Sequence, residues 1–474
     1  MNKGTGRRPV PHPRTVQHNA GMQSLLDDAA RRALRYLDAL PQRAVAPAPE
    51  AVARLSQLRT PLPERPCPAE ETLALLDEVG SPATAASAGG RYFGFVTGGA
   101  LPVSVASHWL ATAWDQNAAL HAAAPATSVL EAVALEWLLE LLDLPRDAGA
   151  GFVTGATMAN FSALAAARHA VLERAGWSVE ADGLAGAPPV TVVVGDEAHP
   201  TLMKSLGLLG FGRRRVLRVP VDAQGRMRAD ALPAFAGPAI VCLQAGNVNS
   251  GAFDPFAEIV PRAREAGAWV HVDGAFGLWA AASPAFSPLV RGLAGADSWA
   301  TDAHKWLNVP YDCGLAFVRD AEALRAAMSV SADYLPPAAA RNPSDYTPEL
   351  SRRARGVDVW AALRTLGRAG VAGLVEDGCR HARRFARELG AAGLEILNEV
   401  VLNQVVVAFG DDAATARAVA ALQAEGTCWC GPTRWRGQAA MRISVSSWAT
   451  TDEDVGRSIE AMRRVAGLTG RPSA

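Results

Sequence analysis

Apolar positions recur at helical spacing over residues 22–40, and again over 51–58 and 69–79, with a proline-bearing break at 45–50 between the first two. Such amphipathic segments have no core of their own and need a surface to pack on. Residues 1–20 are polar, basic and proline-bearing, which predicts a disordered arm. Helical spacing returns over 102–114 and 127–144. The period then alternates: strand 151–154 and helix 159–175, strand 190–194 and helix 202–209, strands 216–219 and 239–243, helix 255–266, strand 269–272 and, later, strand 315–318. Strands alternating with helices predict an α/β fold whose mostly parallel sheet is covered on both faces. A polar stretch over 331–350 is long for a connection and reads as a mobile loop. Helices over 352–366 and 371–389 lead to a small α/β unit with strands 395–397, 405–409 and 441–445 and helices 413–424 and 452–465. The resulting division is an arm (1–20), an N-terminal helical segment (21–85), a large domain (86–350) and a small C-terminal domain (351–474).

At 474 residues the chain exceeds one simple core, and its mix of 49% apolar and 20% charged residues is that of a soluble globular enzyme. A net charge of −1 argues against a nucleic-acid partner, which needs a basic face. Of six cysteines only Cys428-Trp429-Cys430 are close-spaced, and no histidine or second pair completes a metal site there. The N-terminus lacks the apolar segment of a signal peptide and no run reaches membrane-spanning length. A cytoplasmic protein with reduced thiols is expected.

Ligands of parallel sheets sit at the carboxyl ends of strands, and the chemically suggestive residues Thr157, His199, Asn247, Asp273 and Lys305 all fall at such ends. Thr154-Gly155-Ala156-Thr157 lies between a strand and a helix, where backbone N–H groups and a hydroxyl suit a phosphate, although the same residues make an ordinary cap. His199 could stack on a flat ring, act in acid–base chemistry or cap a helix. Asp273 ends an apolar strand and, if buried, needs a cation or several donors. Lys305, between His304 and Trp306 in a β-prone apolar string, either snorkels at a strand end or serves as an amine nucleophile. Glycines around Tyr92, Phe93 and Phe95 suggest a loop that approaches a ligand or another chain closely. No GxxxxGK[ST] loop, GxGxxG turn, HExxH pair or GxSxG elbow is present. A metal site from His271, Asp273 and His304 is therefore set aside. A phosphate turn, a stacking histidine, a carboxylate for a ring nitrogen and a lysine amine together describe one ligand, pyridoxal 5′-phosphate.

In these strings the sequence resembles the group II pyridoxal-phosphate-dependent amino-acid decarboxylases, the family of aromatic-amino-acid and glutamate decarboxylases. His271-Val272-Asp273-Gly274-Ala275 resembles the family's HVDAA, and Ala296-Asp297-Ser298 through His304-Lys305-Trp306 its ADS…HKW, with Asp312-Cys313 at the family's spacing. The resemblance covers about residues 85–365, and more loosely the rest. It implies a fold type I architecture, with a large domain built on a seven-stranded-type sheet, and a homodimer with active sites at the subunit interface. It also implies a lyase that converts an L-amino acid to the amine and CO2 through an internal aldimine on Lys305. On the same basis Asp273 would pair with the pyridinium nitrogen, Ala275 would lie under the ring, and His199 would stack over its other face. Ala156 and Thr157 would hold the phosphate, with His304 beside it, and Asn247 is placed among the cofactor-binding residues. Phe95 and Thr97 match substrate-pocket positions, Tyr346 the mobile-loop tyrosine that protonates Cα, and Arg352-Arg353 the paired arginines after that loop.

The family often has Asn-Pro where this chain has Asp302-Ala303, and a carboxylate beside a phosphate would be repelled, so the Asp302 side chain is expected to turn toward donors elsewhere. Ala119 stands where the aromatic-amino-acid enzymes cover the substrate ring. Phe95, Phe276 and the lack of a basic cluster favour an aromatic or neutral substrate over glutamate, with Arg442 read as a surface or structural residue. Aldehyde synthesis, transamination, carbon–carbon lyase chemistry, decarboxylation of an acidic amino acid and a non-catalytic scaffold stay open as alternatives.

Overall fold

The computed structural model describes residues 19–330 and 340–468. Most of the expected arm (1–18), and residues 331–339 of the expected mobile loop, lie outside the described residues. The chain forms two units, one up to Ala86 and one from Ser87 onward. The first is helical, with Asn19–Ala39, Pro49–Arg54 and Ala69–Leu75. Asp77 ties it together, taking Arg32 at 2.9 Å and Arg35 at 2.5 Å. Among the described residues of this unit only Leu40, Val45, Val79 and Ala86 are buried apolar residues, while Leu26, Leu34 and Leu62 stay exposed.

The second unit is built on a seven-stranded sheet in the order β1-β7-β6-β5-β4-β2-β3. Its strands are β1 Gly149–Val153, β2 Thr191–Gly195, β3 Leu217–Val219, β4 Ala239–Gln244, β5 Trp269–Asp273, β6 Ser298–Asp302 and β7 Gly314–Val318. Strands β2 to β6 run parallel, and β7 alone is reversed, antiparallel to both β6 and β1. Because side chains alternate along a strand, each face has its own core. Val241, Leu243, Val270, Val272, Trp299 and Phe317 pack on one side with Leu278, Trp279 and Leu138. Val192, Val194, Ile240 and Cys242 pack on the other against Ala163, Leu164 and Ala167 of the helix Ala156–Glu173. That helix is alanine-rich, so its axis comes close to the sheet. The carboxyl ends of β1, β2, β4, β5 and β6 open on one edge, as the alternation predicts.

The helix Arg355–Ala391 breaks at Gly367, whose left-handed φ of 58° separates the two predicted helices. A second, antiparallel sheet follows in the order β10-β11-β9-β8, made of β8 Glu395–Ile396, β9 Gln404–Ala408, β10 Gly431–Trp435 and β11 Gln438–Ser444. Strand β10 has no counterpart in the sequence reading, because its exposed Pro432 and Arg434 look like loop residues. Helices Asp412–Glu425 and Asp452–Val465 cover this sheet. The second begins with a capping box in which the Thr451 hydroxyl accepts from the Asp454 N–H and the Asp454 carboxylate takes the Thr451 N–H. The glycine–aromatic loop is fastened to this domain: Phe93 N–H donates to Trp429 O at 2.8 Å, and Phe93 O accepts from Ser444 N–H at 2.9 Å.

Candidate active site

At the open strand ends lies a cleft of about 320 Å³, lined by residues from five strand ends and from the glycine–aromatic loop. Lys305 enters it from the turn after β6, and its Nζ sits 2.9 Å from Asp302 Oδ2. The backbone here is pressed from outside, since a Cβ at Gly98 would collide with the Lys305 carbonyl. Contrary to expectation, Asp302 turns into the site. Its Oδ1 accepts the Ala156 N–H at 2.6 Å, at the N-terminus of the helix Ala156–Glu173. Helix N-termini hold anions through such free N–H groups, and a carboxylate from the neighbouring strand meets that requirement here. The approach is possible because Gly314 carries no side chain: a Cβ there would strike the Gly155 backbone.

Asp273 ends β5, buried, with Oδ1 accepting Ala275 N–H at 3.2 Å and Oδ2 accepting Asn160 Nδ2 at 3.1 Å. His199 both lines the cleft and caps the helix Pro200–Leu208, its Nδ1 accepting from Thr201 N–H at 3.3 Å. Burial lowers its pKa, with Asp273 opposing and Lys305 assisting, so the ring is neutral. His304 is lowered by burial in the same way, despite Asp302 Oδ1 at 3.7 Å from Nε2. Its Nδ1 accepts the Cys313 N–H at 3.1 Å, which leaves the proton on Nε2. The Tyr311 ring packs against His304 at 4.3 Å between centroids, tilted by 31°.

Ala156, Thr157, Ala275, Phe276 and Phe95 line the cleft. Phe95 and Val96 both have positive φ, 55° each, a conformation that a β-branched residue adopts only under constraint. The constraint is Trp429, which stacks on Tyr92 at 5.1 Å and packs against Phe95 at 5.3 Å.

Three expected site residues do not line the cleft. Thr97 lies one layer back, where it hydrogen-bonds Tyr311 and its carbonyl accepts from Ser446. Asn247 organises the following loop, its Oδ1 accepting from Asn249 and Ser250 N–H and its Nδ2 donating to Glu197; Gly246 and Val248 face the cleft instead. Tyr346 sits in a short 3-10 turn, packed against the core beneath β1 with Arg341 over its ring at 4.3 Å. The sequence reading placed it in a mobile loop over 331–350, and the 3-10 turn that holds it runs Pro343–Tyr346. Ala119 is buried, its carbonyl accepting from Ser344 N–H, and is not among the lining residues.

Two lining or supporting groups stand in places the sequence reading did not give them, although it weighed Arg442 as a surface or structural residue and His271 as a metal ligand. Arg442, on β11, reaches the cleft and donates to Val248 O at 3.0 Å; no carboxylate among the described residues pairs with it. Asn160 and His271 stand behind Asp273. The shared face of residues 271 and 273 on one strand was the available signal, but the helix that completes it is distant in sequence. No group of three or more His, Cys, Asp or Glu side chains suited to a metal occurs among the described residues.

A lysine amine facing a buried carboxylate across strand ends, with an anion-holding helix N-terminus alongside, is the arrangement of the fold type I pyridoxal 5′-phosphate enzymes. Within that class the chain belongs to the pyridoxal-dependent decarboxylase family, whose conserved domain matches residues 83–409. It is 30% identical to tryptophan decarboxylase 1 of Oryza sativa subsp. japonica over 338 residues, 66% of this chain and 65% of that protein. It is 28% identical to the aromatic-L-amino-acid decarboxylase of Bacillus atrophaeus over 64% of this chain and 63% of that one. The L-2,4-diaminobutyrate decarboxylase of Rhizobium meliloti (strain 1021) matches at 31% over 74% and 72%. The chain thus spans just under two thirds of the length of the first two relatives. The crystal structure of Oryza sativa TDC with PLP and tryptamine has the same fold, at a TM-score of 0.87 and 24% identity over 95% of this chain and 99% of that one. Mouse CSAD superposes equally well, at 0.87 and 20% identity over the same shares.

Proposed function

We propose that this protein decarboxylates an L-amino acid with an aromatic or other neutral side chain, giving the amine and CO2. The observation that carries the reading is Lys305 Nζ held in the cleft by Asp302, across from a buried and doubly hydrogen-bonded Asp273. The residues fit pyridoxal 5′-phosphate: Lys305 and the buried Asp273 face one cleft, Thr157 stands at a helix N-terminus, and small Ala275 leaves room for a flat ring, while Asp302 competes with a phosphate for the Ala156 N–H. When bound, this cofactor supplies an electron-withdrawing ring that takes up the electron pair left by departing CO2.

Lys305 would hold the cofactor, Ala156 and Thr157 its phosphate, and Asp273 the proton on its ring nitrogen, since an opposite charge nearby favours the charged form. Neutral His199 suits stacking on the ring. Arg442 would receive a substrate carboxylate, and Phe95, Val96, Val248 and Phe276 favour an uncharged side chain. The proton that replaces CO2 at Cα would come from Lys305 or from His304, whose Nε2 bears one. Tyr346 lies outside the cleft of its own chain. Exposed Trp109, Leu110 and Trp114 on the helix Pro102–Trp114 support assembly as a homodimer. The six cysteines are free, which supports a cytoplasmic location, and no helix among the described residues is long and apolar enough to cross a membrane.

The test is a panel of L-amino acids given to cofactor-loaded protein, with CO2 and amine quantified together. Equal yields, greatest for aromatic substrates, are expected. CO2 accompanied by an aldehyde, or a keto acid without CO2, would replace this reading with aldehyde synthesis or transamination.

A further inference from the structure

A buried chain of polar groups runs away from Asp273 beneath the helix Ala156–Glu173. Trp269 Nε1 lies 2.9 Å from Ser298 Oγ, and Ser298 Oγ lies 2.9 Å from His271 Nδ1. His271 Nε2 lies 2.8 Å from Asn160 Oδ1, and Asn160 Nδ2 lies 3.1 Å from Asp273 Oδ2. Asn160, His271 and Ser298 are fully shut off from solvent. Register explains the alignment: His271 pairs with Ser298 across β5 and β6, and residues 271 and 273 share a face. Asn160 is four residues past Ala156, so one helix face carries both the anion-holding N–H and the amide that reaches Asp273.

The donors and acceptors admit one direction. An indole N–H can only donate, so Ser298 Oγ accepts from Trp269; and because Asn160 Nδ2 donates to Asp273, its Oδ1 must accept from His271 Nε2, so neutral His271 takes the Ser298 hydroxyl hydrogen at Nδ1. His271 then carries its proton on Nε2 and donates to Asn160 Oδ1, which leaves the Asn160 amide N–H for Asp273. Each link turns the next, and the last atom of the chain is a carboxylate obliged to accept. We infer that Asn160 and His271 are positioning residues, whose ordered hydrogen bonds fix the plane of the Asp273 carboxylate and keep it ionised toward the ring nitrogen of the bound cofactor. This rests on the proposed binding of pyridoxal 5′-phosphate at Lys305.

Burial supports the inference, since it holds His271 neutral by pushing its pKa down to about 3. The titratable groups on which Asp273 acts are Cys242 on β4, whose thiol is pushed up by burial and by Asp273, and His199 beyond β2, where Asp273 opposes the lowering by burial and Lys305 assists it. None of these is bonded to the chain.

The test uses His271→Leu, Asn160→Leu and the conservative His271→Gln, whose amide can accept from Ser298 and donate to Asn160. Thermal melts establish that each variant is folded. With cofactor bound, His271→Leu and Asn160→Leu should lose about 10- to 100-fold in kcat, the worth of one charge-assisted hydrogen bond, with KM little changed. They should also move the pH at which the bound cofactor's visible absorbance titrates, while His271→Gln restores both. In the cofactor-free protein, nitrogen-15 NMR should find the His271 proton on Nε2. A proton on Nδ1, an absorbance titration unmoved in both leucine variants, or a glutamine variant as impaired as the leucine one would overturn the inference. Should the wild type bind no cofactor, the proposed function fails, and the NMR tautomer still decides whether the chain is ordered as described.

Discussion

The Asp302 carboxylate occupies the Ala156 N–H that a phosphate oxygen would use while pairing with Lys305. A fixed negative charge at that point opposes a phosphate. Asp302→Asn should therefore tighten the binding of inorganic phosphate and of pyridoxal 5′-phosphate about tenfold, equivalent to one pKa unit of charge interaction. Fluorescence titration of the cofactor-free protein measures it, and equal or weaker affinity would contradict the role given to the carboxylate. At this scale the sequence was most informative where a reactive residue ends a strand, because strand ends of a parallel sheet converge. Lys305, Asp273 and His199 could be brought together on that ground alone. Asp302 was judged by what it would repel rather than by the donor it could meet, and that donor lies 146 residues away. Asn160 was invisible because its function exists only once a helix is laid over β5.

Elements hold these residues through a few buried polar anchors. Arg352 is fully buried and pairs with buried Glu131 at 2.8 Å, while also donating to the carbonyls of Ala118 and Phe152. It thereby pins the segment before the helix Arg355–Ala391 to the last turns of β1, from which the phosphate turn starts. Its neighbour Arg353 instead holds Asp312, in the link between β6 and β7. Without Arg352, buried Glu131 keeps only a longer contact to Arg341 at 3.4 Å, and removing one partner of a buried ion pair costs about 3–5 kcal/mol. Arg352→Leu should show a loss of that size in urea unfolding, and Glu131→Leu added to it should recover part. A loss below about 1 kcal/mol would mean that the pair anchors nothing. The paired arginines were legible as a motif, but not as structural supports. Element boundaries were legible where apolar periods were long, as in the helices on either side of Gly367, and lost where polar residues edge a strand, as in β10.

Across the molecule, the same buried histidine that orders Asp273 should leave a mark on stability. His271 is pushed down to about 3 from an ordinary 6.5. Between those values the unfolded chain binds a proton that the native one does not, so stability is full above about pH 6.5 and falls as pH drops toward 3. The whole effect is at most about 4–5 kcal/mol. Asp254, a buried carboxyl pushed up to about 6, works in the opposite sense over its own range, but it is common to any His271 variant. Wild type should thus lose stability with acid faster than His271→Gln in matched melts, and parallel curves would contradict a buried neutral His271. The α/β architecture was legible from alternation alone, whereas the described fold of residues up to Ala86 was only a set of amphipathic segments seeking a surface.

The central claim is that Lys305 is the residue that carries the cofactor, and composition makes it unusually easy to test. The chain has three lysines, Lys3, Lys204 and Lys305. Loading the protein with pyridoxal 5′-phosphate, reducing with borohydride and mapping peptides by mass spectrometry asks which of them is joined to the cofactor. One phosphopyridoxyl group per chain is expected, on Lys305, and it should disappear in Lys305→Ala. A label on Lys204 or Lys3, or none on Lys305, would contradict it.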